Sequence, residues 1–542
     1  MTWFMEDHRL GGQLLAECLG ALGAEVVFGL PGVHALGAWE GLRRRGLRSA
    51  VFRTELSATF AADGYARVTG RPAPILLSTG PGALNSLTGL MEAASSHVPV
   101  VAIASQLPRE LVGRGRGYLH ELDDQLSSFR SVVKWVASVP SLEALPGLAA
   151  EAWRQAGSAP TGPVVLEVPV DLLTAACELP EVQALDGTPR AAPPPSGADL
   201  ARVAALLDAA ERPVIWAGGG ALRSGAWGEL TSLAERLGAP VATTYMGRGA
   251  IAARHRLSAG SCCDEAGFRE LLEGADVLLC VGTELGAETT QQHGLRFSGA
   301  VVQVDVAPER LGATYQVLGV VGDARVVIEA LIGLVADRPR EWGARAVEEL
   351  RRRVGSGLAA QDRKLERDLL AAIGSAVPEE ATQAWDMTIL GYWAAAHQPA
   401  PLPRRFLYPL GSGTLGYAWP AALGACLALP GVPALAVVGD GGIAYGLAEL
   451  ATARQLDLDA TLLVIDDGGY GILREYQLAS FGETHQVDLV QPDLVAVAGA
   501  VGIPARRSSP EALEKDLGWA LSTAGPAMVL LNERLATALA TS

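Results

Sequence analysis

Short apolar runs alternate along most of the chain with longer stretches of helical spacing. LGGQLLAECLGALG (10–23) places apolar residues three and four apart, the period of an amphipathic helix. EVVFGLPG (25–32) follows as a short strand closed by a glycine–proline–glycine turn. SAVFRTELSATFAADGYARVTG (49–70) reads as strand then helix, and 72–105 repeats that order with a glycine-rich strand exit. GPVVLEVPVDLL (162–173) is one more buried strand. The pattern resumes in RPVIWAGGG (212–220), ADVLLCVGTEL (275–285) and GAVVQVDVAPE (299–309). Near the end, ALAVVG (434–439), GLAELATARQL (446–456) and TLLVI (461–465) read as strand, helix, strand, and 525–540 supplies a last strand and a short helix. Alternation of this kind predicts an α/β protein built from parallel sheets covered by helices.

Two interruptions divide the pattern. Residues 178–200 are rich in Pro, Gly and Ala without periodicity and read as a linker. The charged run 339–368 reads as solvated helix leading into a last domain. The expected organisation is three open parallel-sheet domains, at 1–180, 198–340 and 365–542. A length of 542 residues exceeds one hydrophobic core and agrees with that division. The formal charge of −16 argues against nonspecific nucleic-acid or acidic-membrane binding. No signal peptide or membrane-length apolar stretch stands out. The six cysteines form no CxxC pair, so the expectation is a cytoplasmic protein without a disulfide scaffold or structural zinc.

The chemistry concentrates where two strands end on acidic glycine turns. Gly439-Asp440-Gly441-Gly442 closes the first, and Asp466-Asp467-Gly468-Gly469 the second. Parallel strands bring both turns to one carboxyl edge, where open α/β sheets bind ligands. Asp440 and Asp467 can then share a hard cation, with carbonyl and phosphate oxygens completing its shell. Glycine lets backbone approach a diphosphate closely, and a helix amino terminus favours its charge. The same pattern also fits an ordinary pair of turns with solvated aspartates.

Residues 437–477 resemble the cofactor motif of the thiamine-diphosphate-dependent decarboxylase and acetohydroxyacid synthase superfamily. That motif is GDG, some two dozen residues, then an Asn-Asn pair. The resemblance extends to TELSATFAADGYARVTG (54–70) and GSGTLGYAWPAALGA (411–425) and covers nearly the whole chain. It implies related pyrimidine-binding and diphosphate-binding domains flanking a middle domain. It implies Mg2+ on Asp440, Asp467 and the Gly469 carbonyl, with Gly439, Gly441 and Gly442 beside the diphosphate. Asp466-Asp467 stands where Asn-Asn is usual, and the added charge needs compensation. Glu55 would contact the aminopyrimidine, Leu415 would bend the cofactor, and Gly413 and the Trp385–Met387 backbone would flank it.

The substrate side rests on GRGRGYLHELDDQ (113–125), a glycine-rich loop. His120 is the candidate acid–base group, with Gln125 and Gln106 as polar neighbours and His34 and His97 as weaker candidates. Arg474, Glu475 and Gln477 would roof the pocket. An acidic pocket of Glu121, Asp123 and Asp124 would suit a cationic side chain. Gly218-Gly219-Gly220 resembles a nucleotide-binding turn but fits a structural role better. Within the superfamily the motifs look closest to acetolactate synthase-like proteins and 5-guanidino-2-oxopentanoate decarboxylases. The resemblance therefore implies nonoxidative decarboxylation of a 2-oxo acid through an enamine. The alternatives are carboligation of two 2-oxo acids and a non-catalytic cofactor-binding scaffold. FAD would accompany a synthase, but 198–340 holds no clear FAD motif. A homodimer or homotetramer with active sites between subunits is implied.

Overall fold

Apolar runs of four to seven residues pair into the first sheet: β1 (Val26–Gly29), β2 (Arg48–Val51), β3 (Ala73–Leu77), β4 (Val100–Gln106), β5 (Trp135–Ser138) and β6 (Val164–Pro169). Its order is β2-β1-β3-β4-β6-β5. The chain is described by a computed structural model covering residues 8–337 and 341–539. The second sheet contains β7 (Pro213–Ala217), β8 (Val241–Thr243), β9 (Ser258–Gly260), β10 (Val277–Val281), β11 (Ala300–Asp305) and β12 (Leu318–Val321). Its order is β12-β11-β10-β7-β8-β9. The third contains β13 (Thr382–Trp385), β14 (Phe406–Leu407), β15 (Ala434–Gly439), β16 (Ala460–Ile465), β17 (Ala505–Ser508) and β18 (Ala527–Leu531). Its order is β14-β13-β15-β16-β18-β17.

Every strand pair in these sheets is parallel. Numbered within each sheet, the first and third share the order 2-1-3-4-6-5, whereas the middle sheet is 3-2-1-4-5-6 read from its other edge. The first and third sheets therefore have one topology and the middle sheet another. The glycines of 218–220 serve packing. A Cβ on Gly218 would lie 2.3 Å from the Gly282 carbonyl oxygen, and one on Gly220 would lie 2.6 Å from Gly282 Cα.

The chain forms two compact units. One holds residues up to Ala191 with Gly411–Gly431 and Gly446–Leu458; the other holds Ala192–Leu410, Val432–Tyr445 and Asp459 onward. In the first unit, helix Glu55–Thr69 lies against helix Ala418–Ala428 at backbone distance. A Cβ on Gly424 would lie 1.9 Å from the Ala61 carbonyl oxygen, and one on Gly64 would lie 2.3 Å from that of Ala421. In the second unit, the middle and third sheets share a core that includes Trp216, Phe268, Trp385 and Trp393.

Three local expectations need correction. Part of the charged run, 339–340, lies outside the described residues. The rest forms helices Trp342–Ala360 and Lys364–Ala376, but Val347, Leu350, Val354 and Leu358 bury one face of the first. Charge density concealed that apolar stripe. Asp440 does not sit in a free turn: it opens a short helix, Asp440–Gly446, followed by Glu449–Leu456. The short helix expected after β18 is absent among the described residues 532–539. Tertiary partners take that backbone instead. Ala536 N–H donates to Glu366 at 2.8 Å, and the Ala536 carbonyl accepts from Trp393 Nε1 at 2.8 Å. Thr537 N–H donates to Glu475 at 3.0 Å.

Candidate active site

In the second unit, β15 and β16 are adjacent with Gly439 opposite Ile465, so Asp440 and the Asp466-Asp467 turn leave the same sheet edge. Asp440 is almost fully buried and accepts a 3.1 Å hydrogen bond from Gln491. Burial, with Asp467 and Asp466 adding negative charge, raises its carboxyl to about 6. Burial also raises Asp467, opposed first by the positive charge of Arg474. Asp467 Oδ1 is buried and has no hydrogen-bond partner. Two close carboxylates, one with an orphaned oxygen, suit a hard divalent cation. Among the described residues no group of three His, Cys, Asp or Glu side chains gathers for a metal. A cation here would complete its shell with backbone and ligand oxygens.

The turn after β16 shows how the unusual Asp466 is accommodated. It accepts from Gly468 N–H at 3.2 Å and from Asn532 Nδ2 at 2.8 Å. Arg474 Nη1 stands 3.7 Å from Asp467 Oδ2, and Arg534 also favours the charged form of Asp467. Gly469 leaves no room for a side chain: a Cβ would lie 2.1 Å from the Val487 carbonyl oxygen. A Cβ on Gly441 would meet the Tyr470 ring at 2.7 Å, one on Gly439 would meet Thr388 Oγ1 at 3.1 Å, and Gly442 is buried. The expected roof residues have protein partners of their own. Arg474 pairs with Asp488 at 2.9 Å, Glu475 accepts from Thr537, and Gln477 bonds His485.

In the first unit, Thr54 caps helix Glu55–Thr69 by accepting from Ser57 N–H, which places Glu55 in its first turn. Glu55 is buried at 7 % exposure and accepts from Asn85 Nδ2 at 3.2 Å. A Cβ on Gly82 would lie 3.0 Å from Glu55 Oε1, so the glycine-rich exit of β3 closes on this carboxyl. The Gly411–Tyr417 segment is fixed near both ends. Glu92 accepts from Ser412 N–H at 2.7 Å and Ser412 Oγ at 2.9 Å, while Tyr417 donates to Asp63 at 2.7 Å. Arg67 joins those carboxylates, at 2.6 Å from Asp63 and 2.8 Å from Glu92. Between the anchors, Gly413 is exposed with φ 68° and Leu415 is only partly buried. Leu415 is therefore not a sealed core leucine.

The 113–125 loop folds back on the same strand exits. Gly113, Gly115 and Gly117 have φ of 70°, 59° and 70°, which accounts for the glycine spacing. His120 is half-buried, with its ring 5.2 Å from that of His34, and Nδ1 of each is buried without a partner. Burial, helped by His120, lowers the pKa of His34. Gln125 lies beneath the loop. Its Oε1 accepts from Gly80 N–H at 2.7 Å, and its Nε2 donates to Glu167 and the Ser105 carbonyl, both at 3.0 Å. Gln106 donates to Glu167 at 2.9 Å and accepts from Leu107 N–H at 2.7 Å. Both amides are thus spent inside the protein, around a carboxyl whose pKa burial raises. His97 ends a helix turn with φ 55°, and its carbonyl accepts from Thr161.

The expected acidic pocket does not form. Glu121 accepts from Arg116 and Tyr118 N–H at 3.2 and 2.9 Å, and Asp124 accepts from Ser127 N–H at 3.1 Å. Sequence reasoning missed the His34 and His120 pairing and the role of Glu167. A strand glutamate next to Val and Leu was the available signal for the latter.

Three family profiles match the chain. They are the N-terminal TPP-binding, central and C-terminal TPP-binding domains of thiamine pyrophosphate enzymes, at 9–128, 200–331 and 386–531. The chain is 35% identical over 531 residues to the "Probable 2-ketoarginine decarboxylase AruI" of Pseudomonas aeruginosa, covering 97% of this chain and 94% of that protein. It is 30% identical to the acetolactate synthase isozyme 3 large subunit of Escherichia coli, over 94% of this chain and 92% of that protein. It is 31% identical to an acetolactate synthase of Mycobacterium bovis, over 91% of this chain and 82% of that protein.

Proposed function

Because the chain belongs to the thiamine pyrophosphate enzyme family, we propose that it decarboxylates a 2-oxo acid without oxidation and releases an aldehyde. The observation that carries the reading is buried Asp440 beside partly buried Asp467, whose own Oδ1 is buried without a hydrogen-bond partner. Bound thiamine diphosphate supplies the electron sink that a 2-oxo acid needs to lose carbon dioxide. The chain's residues bind, orient and move protons. Asp440, Asp467 and the Gly469 carbonyl hold Mg2+; Gly439, Gly441 and Gly442 let backbone approach the diphosphate. Glu55, buried at 7 % exposure, hydrogen-bonds the aminopyrimidine ring and relays its proton. Gly413 and Leu415 support that ring.

His120, with His34 beside it, exchanges protons with substrate and product. Gln125 acts by holding the Gly80 turn and the loop that carries His120. The substrate is a 2-oxo acid with a cationic side chain, a reading supported by likeness to the Pseudomonas protein rather than by an acidic pocket. Likeness to acetolactate synthases supports the second reading, carboligation of two 2-oxo acids. Catalysis uses at least a homodimer, with Glu55 of one chain serving the cofactor held by Asp440 of its partner.

Product analysis with Mg2+ and thiamine diphosphate tests the proposal across pyruvate, 2-oxobutyrate, phenylpyruvate and 5-guanidino-2-oxopentanoate. An aldehyde from the guanidino substrate is the expected result. Acetolactate or another hydroxyketone, especially from protein that purifies yellow with flavin, would replace decarboxylase by carboligase. No saturable cofactor binding by calorimetry would remove both readings.

A further inference from the structure

The second unit has an open cavity of about 210 Å3 at the exits of β8 and β9, and neither Asp440 nor Asp467 lines it. Arg248, Ser261 and His397 form its polar wall, with Ile251 and Pro399 on the apolar side. Arg248 is 7 % exposed. Its Nη1 donates to Ser261 Oγ at 2.6 Å and to the Ala395 carbonyl. Those acceptors use only part of a guanidinium with five N–H donors. Arg248 Nε is buried with no partner. Among the described residues no carboxylate forms an ion pair with Arg248, and the Phe406 ring stands 4.1 Å from its guanidinium carbon.

A buried, unpaired cation costs several kcal/mol unless an anion accompanies it. Arg351 and His397, which also line this cavity, have partners of their own. Arg351 Nη2 donates to the carbonyls of Ala253, His255 and Ser258. His397 stands 3.5 Å from Glu265. Burial, with Arg248 nearby, holds His397 down to about 4, so it is a neutral group with hydrogen-bonding capacity at pH 7. Burial also pulls the Arg248 guanidinium down to about 9, still charged at neutral pH. The anion that would normally accompany such a charge has no counterpart among the described residues.

The geometry points to a binding site for a small anion, a carboxylate or phosphate, in this cavity, with the Arg248 guanidinium as its principal donor and His397 beside it, while the Ser261 hydroxyl, which donates to the Ala395 carbonyl at 2.8 Å, positions the guanidinium. The volume exceeds what an ion of that size needs and leaves room for several waters, at about 30 Å3 per water. A planar guanidinium offers two parallel N–H groups to either anion.

The test is calorimetric titration of the holoenzyme, saturated with thiamine diphosphate and Mg2+, with succinate and separately with inorganic phosphate at constant ionic strength. Thermal unfolding is followed in parallel, with chloride as control. Saturable binding of one anion per chain and a higher Tm are expected. Preference between the probes tells carboxylate from phosphate. Arg248→Met should weaken binding by about tenfold or more and abolish the anion's effect on Tm. In anion-free buffer the same variant should unfold at an equal or higher temperature than the wild type, because it removes an unpaired buried charge. Ala253→Phe, at the half-buried cavity wall, should block binding while leaving Arg248 in place. Absence of saturable binding in the wild type overturns the proposal, as does equal affinity in both variants. Turnover of 2-oxo acids is not the readout, so failure of the decarboxylase reading would leave this outcome standing.

Discussion

Asp440 shows how a single residue can work against stability and for binding. Its carboxyl titrates at about 6 in the fold, above its ordinary value of 3.8. Folding without a metal therefore raises this carboxyl's affinity for a proton, while at pH 7 it is still mostly ionised. Its stability contribution is greatest below the unfolded pKa, falls as pH rises through the interval between the two values, and stays low above about 6. Asp440→Asn should then stabilise the metal-free protein at pH 7, by at most about 3 kcal/mol. The same variant should lose the rise in Tm that Mg2+ with thiamine diphosphate gives the wild type. Denaturant unfolding with and without the cofactor checks both signs.

Glu55→Gln is expected to keep thiamine diphosphate affinity within about tenfold, but to slow hydrogen exchange at the cofactor's C2 by about 100-fold or more, a size typical of lost proton transfer. Unchanged exchange, measured by NMR, would remove Glu55 from that role. His120→Ala should lower kcat by a similar factor while leaving calorimetric cofactor affinity unaltered.

At the scale of elements, the decisive contact is helix Glu55–Thr69 against helix Ala418–Ala428. Gly64 and Gly424 permit it, because each faces a backbone carbonyl that leaves no room for Cβ. The Asp63, Arg67 and Glu92 cluster then fixes the Ser412–Tyr417 segment to the first of those helices. Glu92→Ala would leave Arg67 with one of its two buried carboxylates and free the Ser412 N–H. A loss of about 3–5 kcal/mol in denaturant unfolding is expected, the usual result of breaking a buried pair from one side. Replacing Gly424 with Val should cost about 1–3 kcal/mol or more through overpacking. Equal stability in either variant would mean that the helices separate without penalty.

At the scale of the molecule, the shared order of the first and third sheets means that one α/β topology serves twice. No described helix is long and apolar enough to cross a membrane. If Glu55 and Asp440 of different chains serve one cofactor, two inactive variants can complement each other. Mixing Glu55→Gln with Asp440→Ala under subunit exchange forms heterodimers with one intact and one doubly altered site. Recovery of up to about a quarter of wild-type activity is expected from random pairing in a symmetric dimer. No recovery, with exchange verified by mass spectrometry, would place both residues of each site on one chain.

The sequence by itself determined the repeated strand–helix grammar and the glycine exits. Apolar periodicity and strand-end glycines are local properties, as is the pairing of Asp440 with Asp467 once their strands are taken as neighbours. It left short strands such as β5, β9, β12, β14 and β17 unread, because two to four residues carry little periodicity. Tertiary structure alone decided what each polar side chain faces. It turned Glu121 and Asp124 to their own loop, bound Gln125 and Gln106 to Glu167, and gave Asp466 the Asn532 amide. It also left Arg248 without a carboxylate partner among the described residues. Such pairings join residues far apart in sequence, and burial sets their energy; neither is written in local spacing.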